Sequence, residues 1–160
     1  MPKLHSLRVL WRQWAAFFLA ALVVVPADQL TKFWISNLDP ESLSETGFFH
    51  FTYVQNTGGV FGLFQGQSFP LSVIAIIGIA VILFLVLFMY RQFSILNTLL
   101  GKLSMGLIIG GTVGNLIDRL SFGYVTDFIA ISSWPPFNIA DSAVVVGAIL
   151  LAYLLIRSAK

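Results

Sequence analysis

The chain has 160 residues, of which 58% are hydrophobic and 10% are charged, and its formal net charge is +2. Too few residues are polar to cover the surface of a soluble globular protein of this size. The composition therefore predicts an integral membrane protein. The absence of cysteine excludes disulfides, thiolate nucleophiles and thiolate metal sites. No basic stripe is present that could neutralise a row of phosphates, so nucleic acid is not an expected partner.

Four apolar runs are each about as long as a helix that crosses roughly 30 Å of hydrocarbon. They predict an all-α integral membrane protein, a single membrane domain over residues 1–160 with four transmembrane helices. The first run is long enough to span and lacks a small-residue cleavage site, so we expect it to be retained rather than cleaved as a signal peptide. The predicted spans are about 14–34, 70–90, 96–117 and 139–156.

Glycines recur at four-residue spacing in the third run, at Gly106, Gly110 and Gly114. This spacing predicts close packing of the third helix against another helix, because a glycine lets a neighbouring backbone approach.

The distribution of basic residues predicts how the chain is oriented in the membrane. Basic residues precede the first run, lie around the connection of the second and third runs, and follow the fourth run. By the positive-inside rule, both termini are expected to be cytoplasmic and the loops at about 35–69 and 118–138 to lie outside. The residues concerned are Lys3, Arg8, Arg12, Arg91, Lys102, Arg157 and Lys160.

The first outer loop is more than a linker. Residues 48–54 are aromatic and β-branched, residues 56–59 read Asn-Thr-Gly-Gly, and residues 60–64 are again apolar. This pattern predicts a small extracytoplasmic β element and turn between helices 1 and 2. We expect the apolar residues 60–64 to form a flap on the outer membrane surface.

Two groups of polar residues lie near the outer ends of the first and third runs. Asp28 and Lys32 are four residues apart, which favours either an ion pair with Lys32 snorkelling to the headgroups or a pair that holds a ligand or braces a site. Asn115, Asp118 and Arg119 share one helix face, where they could orient a site. An arginine there could also attract a lipid phosphate or a substrate carbonyl.

Two aspartates, Asp127 and Asp141, are placed to meet near the start of the fourth helix. Asn138 and Asp141 are spaced as a capping box, which accounts for Asn138 but not for a second acidic residue in the short loop that returns to this helix end. Two carboxylates held together can share one proton, so one acts as a base on water and the other as an acid. This is the chemistry of aspartic proteases.

Other chemistries fit the sequence less well. The two histidines, His5 and His50, fall on opposite sides of the membrane, so neither a paired-histidine zinc site nor a histidine-based triad can form. A serine–lysine hydrolase would depend on Lys32 and is weakly indicated.

Two further alternatives belong to other classes of protein. One is a small proton- or ion-coupled transporter that uses the aspartates as a relay, although a relay would be expected to place ionisable groups at mid-membrane on several helices. The other is a non-enzymatic assembly subunit built on the glycine face. The aspartates of the relay would be Asp28, Asp118, Asp127 and Asp141.

Five blocks of the sequence, in order, resemble the motifs of the lipoprotein signal peptidases, the type II signal peptidases of bacteria. The blocks are Asp-Gln-Leu-Thr-Lys at 28–32, Asn-Thr-Gly at 56–58, Gly-Thr-Val-Gly-Asn-Leu-Ile-Asp-Arg at 111–119, Val-Thr-Asp-Phe at 125–128 and Phe-Asn-Ile-Ala-Asp at 137–141. The family usually continues the second block with two alanines, whereas Gly59 and Val60 stand here. This departure affects the flap and leaves the aspartate pair untouched.

The resemblance implies an intramembrane aspartyl endopeptidase that removes the signal peptide of a prolipoprotein just before its diacylglyceryl-modified cysteine. It implies that Asp127 and Asp141 are the catalytic dyad. It also implies a bacterial cytoplasmic (inner) membrane location, membrane lipids as surroundings and inhibition by globomycin-type cyclic peptides. We expect no cofactor, no metal and a monomer. The positions implied to support the dyad or contact the substrate are Asp28, Lys32, Asn56, Gly58, Asn115, Asp118, Arg119, Asn138 and Ala140.

Overall fold

Four long helices and a three-stranded sheet make up the part of the protein that the computed structural model describes. The described residues are 2–39, 43, 47–59, 63–88, 92 and 94–158, with the backbone alone for residues 2–8. The helices are α1 (Pro2–Ser36), α2 (Ser68–Phe88), α3 (Leu99–Phe122) and α4 (Ile139–Ser158), and the strands are β1 (Phe49–Asn56), β2 (Val125–Ile131) and β3 (Trp134–Phe137).

All four helices are long and apolar enough to cross a membrane, α1 over its segment Val9–Ser36. The predicted fold class is therefore confirmed. One loop boundary is wrong: α3 continues to Phe122, so Asp118 and Arg119 lie in the helix and not in the loop predicted at 118–138. The helix ends where Gly123 adopts a left-handed conformation (φ 79°) and donates its N–H to the carbonyl of Arg119. The predicted end of the second span, residues 89–90, lies outside the described residues.

Helix α3 is the central helix of the bundle. In its most apolar segment 56% of the residues are buried, compared with 11% in α2, whose surface is left to lipid. The predicted close packing through glycine is confirmed, because a methyl group on Gly106 would collide with the carbonyl of Phe17 in α1. Gly111 faces α4 in the same way, where a methyl group would collide with the carbonyl of Ala140. These glycines let α1 and α4 each pack closely against α3.

The sheet is antiparallel and has the order β1-β2-β3. Strand β1 confirms the β element predicted between α1 and α2. The other two strands come from the connection between α3 and α4, which was predicted as a loop. In the register of β1 and β2, Val54 pairs with Asp127 and Asn56 pairs with Val125. The sheet therefore carries Asp127 on its central strand, beside the C-terminal ends of α1 and α3, and we call this end of the bundle the sheet end.

Part of the predicted flap lies outside the described residues, namely residues 60–62, including the Val60 that departs from the family pattern. Its described part, Leu63 and Phe64, has exposed side chains. The N–H of Gly59 donates to the carbonyl of Leu63 over 2.6 Å, which closes the base of this loop.

Candidate active site

Asp127 is a buried carboxylate that accepts two hydrogen bonds from side-chain amides. Its side chain is 2% exposed. Asn138 Nδ2 donates to Asp127 Oδ1 over 2.7 Å, and Asn56 Nδ2 donates to Oδ2 over 2.9 Å. The donors come from the start of α4 and the end of β1. The strand pairing that carries Asp127 thus also supplies one of its two donors.

Asp141 lies in the first turn of α4 and forms the predicted capping box. The N–H of Asp141 donates to Asn138 Oδ1 over 2.8 Å, and the N–H of Asn138 donates to Asp141 Oδ2 over 3.3 Å. The other oxygen, Oδ1, accepts from Asn115 Nδ2 of α3 over 2.7 Å. Capping therefore explains how Asp141 is oriented, and Asn115 adds a contact that capping does not require.

Two asparagines link the aspartates to each other. The fully buried Asn138 caps α4 beside Asp141 through its oxygen and contacts Asp127 through its nitrogen. The same nitrogen lies 3.1 Å from Asn115 Oδ1, and Asn115 Nδ2 in turn contacts Asp141. The two carboxylates thus face one polar network that joins α3, β2 and α4.

The environment of Asp127 favours its protonated form. Burial, and after it the negative charge of Asp141, raises the pKa of Asp127 from its ordinary value of 3.8 to about 7. The amide donors of Asn56 and Asn138 and the charge of Lys32 act in the opposite direction without cancelling this effect. A carboxyl group that keeps its proton near neutral pH can act as a general acid.

Behind the aspartates lies a buried cluster of three charged residues, Asp28, Lys32 and Asp118, which are 0%, 5% and 2% exposed. Lys32 Nζ lies 2.7 Å from Asp28 Oδ2 and 3.0 Å from Asp118 Oδ2. It also donates to Asn115 Oδ1 over 3.0 Å. The predicted ion pair of Asp28 and Lys32 is present. Of the two alternatives for this pair, the one in which Lys32 reaches the headgroups is wrong, because its ammonium group is enclosed by the acceptors of α1 and α3.

Arg119 connects α3 to the base of the flap. Its Nη2 donates to the carbonyl of Gly58 over 3.1 Å, and the N–H of Gly58 donates to Asn56 Oδ1 over 2.9 Å. A side chain at position 58 would collide with the carbonyl of Leu63, which explains the glycine. Arg119 Nε is buried and has no hydrogen-bond partner among the described residues.

The structure brings together all eleven site residues predicted from the sequence. Ten of them are described above, and the eleventh, Ala140, donates its N–H to Asp28 Oδ1. Sequence reasoning missed Gln29, whose side chain contacts Asp28 and Asp118. Its signals in the sequence were its position next to Asp28 and its place in the block at 28–32. Within the described ranges, no three histidine, cysteine, aspartate or glutamate side chains are grouped to hold a metal ion.

Comparisons with known proteins show the family of the chain. The chain matches the family model of signal peptidase (SPase) II over residues 20–157. A lipoprotein signal peptidase of Dehalococcoides mccartyi is 42% identical over 144 residues, and the match covers 89% of each chain. One of Moorella thermoacetica is 42% identical over 146 residues, covering 89% of this chain and 94% of that protein. A bacterial membrane enzyme solved by the in meso method at 2.3 Å resolution superposes with a TM-score of 0.79 at 28% identity, over 90% of this chain and 89% of that one. The chain therefore belongs to the signal peptidase II family.

Proposed function

We propose that this protein is an intramembrane aspartyl endopeptidase in which Asp127 and Asp141 are the catalytic pair. Its substrates are diacylglyceryl-modified prolipoproteins, which it cleaves on the N-terminal side of the lipidated cysteine. The observation that carries the proposal is the shared asparagine: Asn138 contacts Asp127 through Nδ2 and Asp141 through Oδ1 and its own N–H. One residue thereby fixes two carboxylates that come from different elements.

The proposed reaction needs only these two groups and a water molecule. The ionised carboxylate removes a proton from water, whose oxygen attacks the scissile carbonyl carbon, while the protonated carboxyl group donates its proton to the carbonyl oxygen. The tetrahedral intermediate then loses the amine as the carbon–nitrogen bond breaks: the carboxyl group that took a proton from water gives it to the leaving nitrogen, and a hydroxyl of the intermediate returns a proton to the other carboxylate, which restores the pair. The raised pKa of Asp127 supports its role as the protonated partner at the start.

The position of the pair supports a substrate that is held in the membrane. The aspartates lie at the sheet end, where α1 and α3 finish and α4 starts, next to apolar helix surfaces that face lipid. A lipidated peptide can enter from the membrane there while water reaches the same end of the bundle. We propose that the protein acts as a monomer and that globomycin-type peptides occupy the same site.

The transporter alternative receives no such support. The chain has seven acidic residues, and each of them precedes residue 46 or lies between residues 118 and 141. Among the acidic residues that the structure describes, the four buried or half-buried ones belong to the network at the sheet end, and the sequence has no acidic residue on α2 or along the rest of α3 and α4. A proton relay across the membrane would need groups along its path.

The pH dependence of cleavage tests the proposed chemistry. Because the pKa of Asp127 is about 7, the pair should hold one proton below about pH 7 and lose it above, so the cleavage rate should fall on the alkaline side. It should also fall in acid, where a second proton leaves no base. Initial rates on a diacylglyceryl-modified peptide in detergent measure both limbs. A rate that stayed constant from about pH 6 to pH 9 would contradict the shared proton.

We further propose that the sheet end faces the extracytoplasmic side of the bacterial cytoplasmic membrane, with both termini in the cytoplasm. The basic residues at the other ends of the helices support this orientation, since positive residues stay inside. In cells, a cysteine introduced at Asn37, after α1, should react with a membrane-impermeant reagent, whereas one introduced at Arg157 in α4 should not. The reverse labelling pattern would invert the orientation.

A further inference from the structure

Asp28 and Asp118 are buried carboxylates outside the proposed catalytic pair. Each accepts a hydrogen bond from the backbone N–H of the residue that precedes a catalytic aspartate. Asp28 Oδ1 accepts the N–H of Ala140, the residue before Asp141, over 2.9 Å. Asp118 Oδ2 accepts the N–H of Thr126, the residue before Asp127, over 3.0 Å. Each catalytic aspartate thus follows a peptide group that is anchored by its own buried acid.

The two anchors are joined through one cation. Lys32 Nζ lies 2.7 Å from Asp28 and 3.0 Å from Asp118, so both acids contact the same ammonium group. Because Asp28 fixes the start of α4 and Asp118 fixes the start of β2, their separation influences the separation of Asp141 and Asp127. A rotation or displacement of either carboxylate, Asp28 or Asp118, would move one catalytic aspartate relative to the other.

Gln29 completes the contacts of these anchors. Lys32 and Thr126 both contact Asp118 Oδ2, whereas Oδ1 accepts from Gln29 Nε2 over 2.9 Å. Gln29 Nε2 also lies 3.3 Å from Asp28 Oδ2 and 3.2 Å from the carbonyl of Gly114. It therefore ties Asp118 to the turn of α1 that carries Asp28.

The side chain of Asp28 is tightly packed where it lies next to Gln29 and Gly114. A methyl group on Gly114 would lie 2.7 Å from Asp28 Oδ2, so the glycine makes room for the carboxylate. Asp28 is thereby confined between α3 and the start of α4. Asp118 Oδ1 has Gln29 as its side-chain amide donor, and the loss of that donor leaves the carboxylate held through its other oxygen, by Lys32 and the N–H of Thr126.

We propose that Gln29 is a positioning residue for the catalytic pair. It fixes the carboxylate of Asp118, Asp118 fixes the first residues of β2 through Thr126, and β2 presents Asp127 to Asp141. Gln29 touches neither catalytic aspartate, and it acts on them through the backbone. This inference rests on the proposed function, since it assigns a role within the same site.

The test compares two glutamines of α1 that each reach another element. Gln29→Met removes the amide donor next to Asp118. Gln13→Met is the matched control, because Gln13 Nε2 donates to the carbonyl of Asn97 over 2.6 Å at the opposite end of the helix. Activity is measured on a diacylglyceryl-modified peptide and expressed per folded protein, with the folded fraction taken from size exclusion and thermal unfolding in detergent.

For Gln29→Met we expect kcat to fall by about tenfold or more, because small displacements of catalytic groups have large effects on rate. KM should change by less than about twofold, since the side-chain contacts of Gln29 go to Asp28, Asp118 and Gly114 and not to the catalytic aspartates. The pH values at which the acid and alkaline limbs of the profile fall should move relative to each other. Gln13→Met should lower the unfolding temperature while leaving kcat and the pH profile unchanged. Gln29→Asn, which keeps an amide but is one methylene shorter, should change kcat in the same direction.

Two results would overturn the positioning role. One is a Gln29→Met or Gln29→Asn protein with the kcat and pH limbs of the unmodified protein. The other is a loss of activity that matches the loss of folded protein, with an unchanged pH profile in the folded remainder, as a merely structural role would produce. The unmodified protein is assayed in the same series. If the unmodified protein failed to cleave the peptide, the proposed function would be contradicted. If it cleaved normally and the Gln29 variants cleaved equally well, only the positioning role of Gln29 would be contradicted.

Discussion

Asp127→Asn and Asp141→Asn are each expected to lower the cleavage rate by at least about 10³-fold, equivalent to about 4 kcal/mol of transition-state free energy. An amide has nearly the shape of a carboxyl group but can neither accept a proton from water nor give one to the scissile carbonyl. Each asparagine keeps one oxygen that can accept one of the two donors of the original carboxylate, and the N–H of residue 141 still donates to Asn138 Oδ1, so both variants should fold. Rates on a lipidated peptide, measured with purified protein in detergent, provide the test.

The double variant distinguishes a catalytic pair from two independent contributors. If the aspartates act as one unit, Asp127→Asn with Asp141→Asn should be no slower than either single variant. Asp39→Asn is the matched control, because Asp39 is an exposed aspartate that follows α1 at the same end of the bundle. Substantial activity in either single variant would remove that residue from the pair.

Lys32→Met should have the largest effect on stability, a loss of about 3–5 kcal/mol in the free energy of unfolding. Lys32 is the cation that both Asp28 and Asp118 contact, and all three side chains are buried. Its removal leaves two carboxylates without the opposite charge that offsets their burial. Unfolding of the purified protein in detergent, by heat or by denaturant, gives the difference.

Two further variants identify the cause of that loss. Adding Asp28→Asn to Lys32→Met removes one of the uncompensated carboxylates, so the double variant should be more stable than Lys32→Met alone. Lys102→Met removes a second buried lysine, which contacts the ring of Trp14 and the carbonyl of Val86 at the other end of α3. It should leave the cleavage rate per folded molecule unchanged. A Lys32→Met protein as stable as the unmodified one would show that the cation does not hold the cluster.

Much of the helical architecture could be predicted because it depends on local composition. Runs of apolar residues long enough to span predict α1 to α4, and the four-residue glycine spacing predicts close packing of α3 against another helix, which the structure identifies as α1 at Gly106. Strands β2 and β3 were missed because the segment 125–137 is short and ends in Trp-Pro-Pro-Phe. Its strand conformation depends on pairing with β1, which is distant in the sequence.

In the candidate site too, contacts between residues close in the sequence could be predicted, whereas contacts between distant residues could not. The cap formed by Asn138 and Asp141 is local and was predicted from their spacing. The contact of Asp28 with the N–H of Ala140 joins residues 112 positions apart, and no pattern in the sequence specifies which backbone group a buried carboxylate will meet. The burial of Lys32 was missed for a related reason, because a lysine near a helix end snorkels unless another helix supplies acceptors. Here Asp118 and Asn115 of α3 do so.

The most direct test of the central claim is mass spectrometry of the products that the purified protein forms from a diacylglyceryl-modified prolipoprotein peptide in the presence of a metal chelator. The proposed function predicts a product whose first residue is the lipidated cysteine. It predicts an undiminished rate in the chelator, and no cleavage of the same peptide with a free thiol at that cysteine. If the purified protein failed to cleave the lipidated peptide, or if its activity disappeared in the chelator and returned with a divalent ion, the metal-free aspartate pair would be contradicted.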